Sequence, residues 1–164
     1  AALSDATRRG VLEQLGRSDA SITDLAEKFH MTLTGMKKHV GVLEQAGLVA
    51  TEKVVVVGVP MTYPPKPVNG CMVTCFMTPD TKCEFTYPPE LKAEVENVTN
   101  GYILDVNDFR NENKDQILQS IYDMTEKRFK LTRHFIRNKE WDFFMMVEMG
   151  PDRIHHAFWK YFDE

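Results

Sequence analysis

Apolar residues recur at helical spacing along roughly the first fifty positions. Ala6, Val11, Leu12 and Leu15 predict a first helix, with Ser4 as its cap and Gly16 at its end. Ser21 and Asp24 have the form of a capping box and open a second helix, Ile22 to Phe29, with Ile22, Leu25, Ala26 and Phe29 on one face. Thr32 is placed to cap a third helix over about 33–46, whose buried stripe is Met36, Val40 and Leu43 and which Gly47 stops. Leu48 and Val49 then begin an extended piece. Two helices of about 8 and 14 residues joined by a tight turn make a helix-turn-helix.

The period changes after Lys53. The β-branched run Val54 to Val57, with Val59, predicts a strand buried on both faces, as in a parallel sheet. Pro60, Pro64, Pro65 and Pro67 then forbid regular structure. A short helix is expected over 90–97 and a strand over Tyr102 to Val106. A long amphipathic helix is expected over 113–138. Its stripe is Ile117, Ile121, Met124, Leu131 and Phe135, with Leu118 and Ile136 beside it. Trp141 to Met149 reads as a further apolar strand. Strand, helix, strand in that order points to an open sheet. The expected fold is therefore α/β, with a three-helix helix-turn-helix in residues 1–53. An incomplete, open, mostly parallel α/β sheet would follow in residues 54–164.

Composition sharpens that division. Residues 1–53 hold no Pro, Tyr, Trp or Cys and balance seven basic against seven acidic residues, so the whole net charge of -4 lies in residues 54–164. That charge supplies no global attraction to nucleic acid. Ten Phe and nine Met exclude a disordered chain. No apolar run approaches the roughly 20 residues of a membrane span, and no signal-peptide pattern opens the sequence. A cytoplasmic location with reduced thiols is expected for Cys71, Cys75 and Cys83. Their C-x3-C-x7-C spacing has no neighbouring His and favours packed thiols over a thiolate metal site.

Two stretches carry chemistry. The solvent side of the third helix offers Thr34, Lys37 and Lys38, with His39 towards one flank. Lys neutralises phosphates, and Thr bonds a phosphate or a base edge, so these are residue types that a duplex requires. The alternative is an ordinary solvated face. The second stretch is GPDRIHHAFWKYFD, in which Pro151 suits the first turn of a helix. Asp152 would share a face with His156 or with His155. A carboxylate and an imidazole can both ligate a divalent metal such as zinc, although two ligands do not complete a tetrahedral site. The alternative here is a capping Asp with two surface or packed histidines.

ALSDATRRGVLEQL followed by SITDLAEKFHMTLTGMKKHVGVLEQAGLVATEK resembles the winged helix-turn-helix of ArsR-type bacterial transcription regulators. The resemblance implies that Thr32, Thr34, Lys37, Lys38 and His39 lie on a recognition helix in the major groove of double-stranded DNA. The turn position often occupied by Gly in that family is His30, and the recognition helix carries no cysteine pair. The residues after Lys53 do not resemble the family's wing and dimerisation helix.

VPMTYPPKPVNG, GYILDV, MTEKRF and NKEWDFFMMVEMGPDRIHHAFWKYFD resemble the middle part of type I phosphodiesterases/nucleotide pyrophosphatases of the alkaline phosphatase superfamily. That resemblance implies that Asp152 and His156 ligate one divalent metal, zinc or manganese. It also implies a nucleophile and a later Asp-His pair, for which no match is found here. The function expected is a DNA-binding, regulator-like module joined to a catalytically incomplete phosphodiesterase-like segment. The alternative is a metal-dependent phosphodiesterase completed by other chains. Unpaired sheet edges make self-association a further expectation.

Overall fold

The computed structural model describes residues 2–106 and 112–162. The chain forms a mixed α/β structure of two compact units, Ala1–Glu52 and Lys53–Glu164.

In the first unit a single turn of 3-10 helix, Ala2–Ser4, leads into α1 (Ala6–Leu15), α2 (Ile22–Lys28) and α3 (Leu33–Gln45). Asp5, not Ser4, caps α1, because the Asp5 carboxylate reaches the Arg8 N–H at 3.0 Å while Ser4 belongs to the preceding turn. Ala6 is exposed, and Val11 with Leu12 and Leu15 forms the packing face instead. Ser21 and Asp24 make the reciprocal capping box, at 3.0 and 3.3 Å. α2 ends in a Schellman turn. Its Met31 N–H donates to Ala26 C=O at 2.8 Å and its His30 N–H to Glu27 C=O at 3.1 Å. His30 is the left-handed residue of that turn, with φ 51°. Gly47, at φ 65°, closes α3 with the same pair of bonds. Val11, Leu25, Ala26, Met36, Val40 and Leu43 form the core. Bare carbon at Gly10 lets α1 approach α2 closely, since a Cβ there would lie 2.7 Å from the Phe29 ring.

The second unit is built on β1 (Val54–Val57), β2 (Gly70–Val73), β3 (Thr86–Tyr87) and β4 (Phe143–Met146), in the order β3-β2-β1-β4. β1 pairs parallel with both β2 and β4, and β3 is antiparallel to β2. Its helices are α4 (Leu91–Thr99), α5 (Lys114–Asn138) and α6 (Gly150–Phe158). Leu91 and Val95 of α4 and Leu131 and Phe135 of α5 pack on Val55, Val57, Cys71 and Val73. The amino-terminal half of α5 instead packs against α6 through Ile117, Ile121, Met124 and Ala157.

Four expectations are corrected here. The valine strand is buried on one face only. Val55 and Val57 point to the helices, whereas Val54 and Val56 are half-buried and Phe143 and Met145 beside them are exposed. Tyr102–Val106 is not a strand, although Tyr102, Leu104 and Val106 are buried alternately. The carbonyls of Ile103 and Leu104 accept hydrogen bonds from the Arg128 guanidinium at 3.5 and 3.0 Å, where a strand would need a neighbour's amides. The last strand covers only Phe143–Met146, because Met149 and Gly150 already start α6. Ile136, expected beside the buried stripe of α5, is exposed. No helix among the described residues is long and apolar enough to cross a membrane.

Candidate nucleic-acid interface and candidate metal pair

Thr34, Lys37 and Lys38 stand exposed on α3 while Met36, Val40 and Leu43 bury the opposite side. Their spacing of three and four residues places them on one helix face. The face is therefore free of packing duties. Thr32 sits at its start and is committed as the cap, its Oγ1 accepting the Gly35 N–H at 3.1 Å. His39 departs from the group. It is half-buried, and its Nδ1 lies 3.6 Å from the Asp5 carboxylate at the head of α1, with no hydrogen-bond partner for that buried nitrogen among the described residues. The Asp5 carboxyl is held below its ordinary value chiefly by the Arg8 amide, with a smaller contribution from His39. Of the five residues read from the sequence, the structure brings Thr34, Lys37 and Lys38 together, spends Thr32 on the helix and turns His39 towards α1.

In the second unit Asp152 stands in the first turn of α6, just beyond the carboxyl end of β4. His156 Nε2 lies 3.6 Å from Asp152 Oδ1, so the two do share a face. His155 points elsewhere, its ring packing edge-on to Trp159 and Phe162 at 6.3 and 6.1 Å between centroids. The sequence reading missed Arg153. This buried guanidinium grips Asp105 through two bonds of 2.7 and 2.5 Å and holds Asp152 Oδ2 at 2.6 Å. Its own pKa is raised, first by the Asp105 hydrogen bonds, so it stays a cation. The signal was available, in that an Arg follows Asp152 directly. Its partner Asp105 lies 48 residues away and has no local signature.

The donor types of Asp152 and His156 suit zinc or manganese, but a site needs more ligands. Among the described residues no group of three or more His, Cys, Asp or Glu side chains could hold a metal ion. An arginine already occupies one oxygen of Asp152. The pair as it stands is a poor fit for a resident metal. The three cysteines are free thiols. Burial pushes the Cys71 thiol up. Burial acts the same way on Cys75, but amides led by that of Met77, whose N–H lies 3.4 Å from Sγ, outweigh it and bring that thiol below its usual value.

A family model described as a helix-turn-helix domain matches residues 3–52. The first unit is a helix-turn-helix. No curated protein and no solved structure matches the chain.

Proposed function

We propose that the first unit binds double-stranded DNA as an ArsR-like regulator does, with α3 entering the major groove and Thr34, Lys37 and Lys38 facing the duplex. The observation that carries this reading is an exposed Thr-Lys-Lys face on the second helix of a helix-turn-helix whose core is packed entirely from the other side. Lys37 and Lys38 neutralise phosphates, and Thr34 is placed for a base edge or a phosphate. Thr32 acts as the cap that starts the helix at the groove. His39 adds only a flank contact, since Asp5 already faces it. Such a role puts the chain in the cytoplasm with its thiols reduced.

The test is a fluorescence-anisotropy titration of the full chain with duplex DNA over a range of salt. Binding is expected to weaken steeply as salt rises. Lys37→Ala and Lys38→Ala should each weaken it across all sequences and lower the salt slope by about 1. Binding that ignores salt, or that survives loss of both lysines, overturns the reading.

One observation favours a second reading for the other unit. Asp152 and His156 share a face beyond the end of a parallel strand, where open α/β sheets place ligands. On this reading the pair contributes half of a zinc or manganese site in a phosphodiesterase completed by other chains. Metal-stimulated hydrolysis of bis-p-nitrophenyl phosphate, lost in Asp152→Ala, would support it, and absence of turnover with metal bound would end it. Self-association belongs to the same unit, because β4 is an edge strand with Phe143 and Met145 exposed. A monomeric mass by light scattering at high concentration would count against it.

A further inference from the structure

A cavity of about 390 Å³ opens at the amino-terminal end of the β1-β2 pair, the opposite end of the strands from Asp152. Its floor is apolar and consists of the buried side chains of Val55, Cys71 and Leu91. Cys71 is 6% exposed and is a free thiol. Gly70 contributes no side chain to fill the space, and none fits there. A Cβ would fall 2.0 Å from the Val54 carbonyl, and φ is 140°. The size is that of a site for a small organic molecule.

The rim is acidic. Glu90, Glu94 and Glu140 face a single cation, Lys139. That cation is already committed, with its Nζ 2.5 Å from one oxygen of Glu94, while His134 Nε2 lies 2.8 Å from the other. Glu140 pairs with Lys53. Glu90 makes no ion pair among the described residues. Burial would raise the Glu94 carboxyl, but hydrogen bonds from Lys139 and then His134 outweigh it, and the group is ionised at neutral pH. With Lys53 counted as the partner of Glu140, three carboxylates stand against two ammoniums, an excess of one negative charge centred on Glu90.

An apolar floor under an acidic rim selects for a molecule with one apolar end and one positive end. A carboxylate ligand would meet like charges. An uncharged one would leave the rim's attraction unused. A primary ammonium offers three N–H donors to groups that only accept. We infer that this cavity binds a small primary alkylammonium ligand, its alkyl chain on Val55, Cys71 and Leu91 and its cation among Glu90, Glu94 and Glu140. The inference is independent of the DNA-binding reading.

The test is titration of the full ¹⁵N-labelled chain with pentylamine, pentanol and pentanoate, following the amides of Gly70, Cys71 and Leu91. Pentylamine is expected to shift these amides with a dissociation constant on the order of 1 mM. Pentanol should bind at least about tenfold more weakly and pentanoate more weakly still. Glu90 and Glu140 are both exposed, and the double variant Glu90→Gln/Glu140→Gln should weaken pentylamine roughly two- to fivefold and leave pentanol unchanged. Equal affinity for pentylamine and pentanol, shifts that map to other amides, or a folded double variant with unaltered affinity would each overturn the inference. Should the double variant fail to fold, the three-ligand comparison on the unaltered chain decides alone.

Discussion

Lys37 and Lys38 of the first unit and Arg128 and Arg153 of the second are used in opposite ways. In the helix-turn-helix, Lys37 and Lys38 point into solvent and hold nothing together. Its core is apolar and its turns are closed by residues within five positions of the bonds they make. In the sheet unit, Arg128 is buried and donates to the carbonyls of Val147, Ile103 and Leu104, tying α5 to two connecting segments. Arg153 ties α6 to Asp105, and Glu94 ties α4 to the end of α5. The difference teaches where function can be altered cheaply. Thr34, Lys37 and Lys38 of α3 are removable without touching the fold, whereas Asp152 and Glu94 are both chemical candidates and structural ties.

The largest expected effect separates the units outright. Phe135 has no exposed surface and packs from α5 onto the sheet core. Phe135→Ala should cost about 3–5 kcal/mol. Both Trp residues lie in residues 54–164, so tryptophan fluorescence reports that unit alone, while circular dichroism also sees α1 to α3. In urea the variant is expected to lose its fluorescence transition at much lower concentration, with part of the helical signal melting later at its original midpoint. A single transition that moves by both probes would mean that the units unfold together, and the contrast drawn between them would fail.

The same contrast explains what could be read from the sequence. The capping box at Ser21 and Asp24, the Thr32 cap, the Gly47 stop and the Met36-Val40-Leu43 stripe are all local patterns, and each stands in the structure as read. The error at Ser4 and Asp5 is one position wide, because two capping residues stand side by side. The long helix α5 was legible for the same local reason. Tyr102–Val106 was misread because alternation of buried and half-buried residues is a strand signal only when a neighbouring strand takes the amides and carbonyls. Here Arg128, 24 residues on, takes the carbonyls instead. The single-faced burial of β1 was equally illegible, since four valines in a row do not say which side α4 and α5 will cover. Among the site residues, the face of α3 was visible as a helical pattern. The Arg153 tie and the cavity at Cys71 and Glu94 join residues far apart in sequence, and no spacing rule reaches them.

A smaller effect sharpens the helical side of the comparison. His30 holds a left-handed backbone at the turn between α2 and α3, a conformation that costs a residue with a Cβ about 1–2 kcal/mol and glycine very little. Glycine also gives the unfolded chain more freedom, which offsets part of that gain. His30→Gly should therefore stabilise the first unit by up to about 1 kcal/mol and leave the tryptophan transition of the second unit where it was. His30 is exposed and lies in the turn before α3, outside the helix that carries Thr34, Lys37 and Lys38, so DNA affinity should hold. A loss of stability would mean that the imidazole makes a contact worth more than the backbone strain.

The smallest effect concerns the sheet side and its dependence on pH. The folded-state pKa of Glu94 lies below its unfolded value, because the hydrogen bonds from Lys139 and His134 outweigh burial. A depressed carboxyl contributes stability above its unfolded pKa and loses that contribution as pH falls through the folded one. The window thus begins in the ordinary carboxylate range of roughly pH 4 to 5 and runs downward. About a third of each side chain in this trio remains exposed, so solvent screening limits the contribution to about 1 kcal/mol or less. Glu94→Gln keeps the shape and removes the charge. At pH 7 the variant should unfold at slightly lower urea than the unaltered chain, and the gap should close as pH falls through that window. In the first unit, Asp5 is depressed in the same direction by the Arg8 amide, and Asn can still accept that bond. Asp5→Asn should accordingly flatten the acid dependence of the helical signal and leave tryptophan fluorescence unmoved, whereas Glu94→Gln should flatten that of tryptophan fluorescence and of the share of the helical signal that comes from α4, α5 and α6. A change in the acid dependence of tryptophan fluorescence in Asp5→Asn would show that the acid response of one unit is carried by the other.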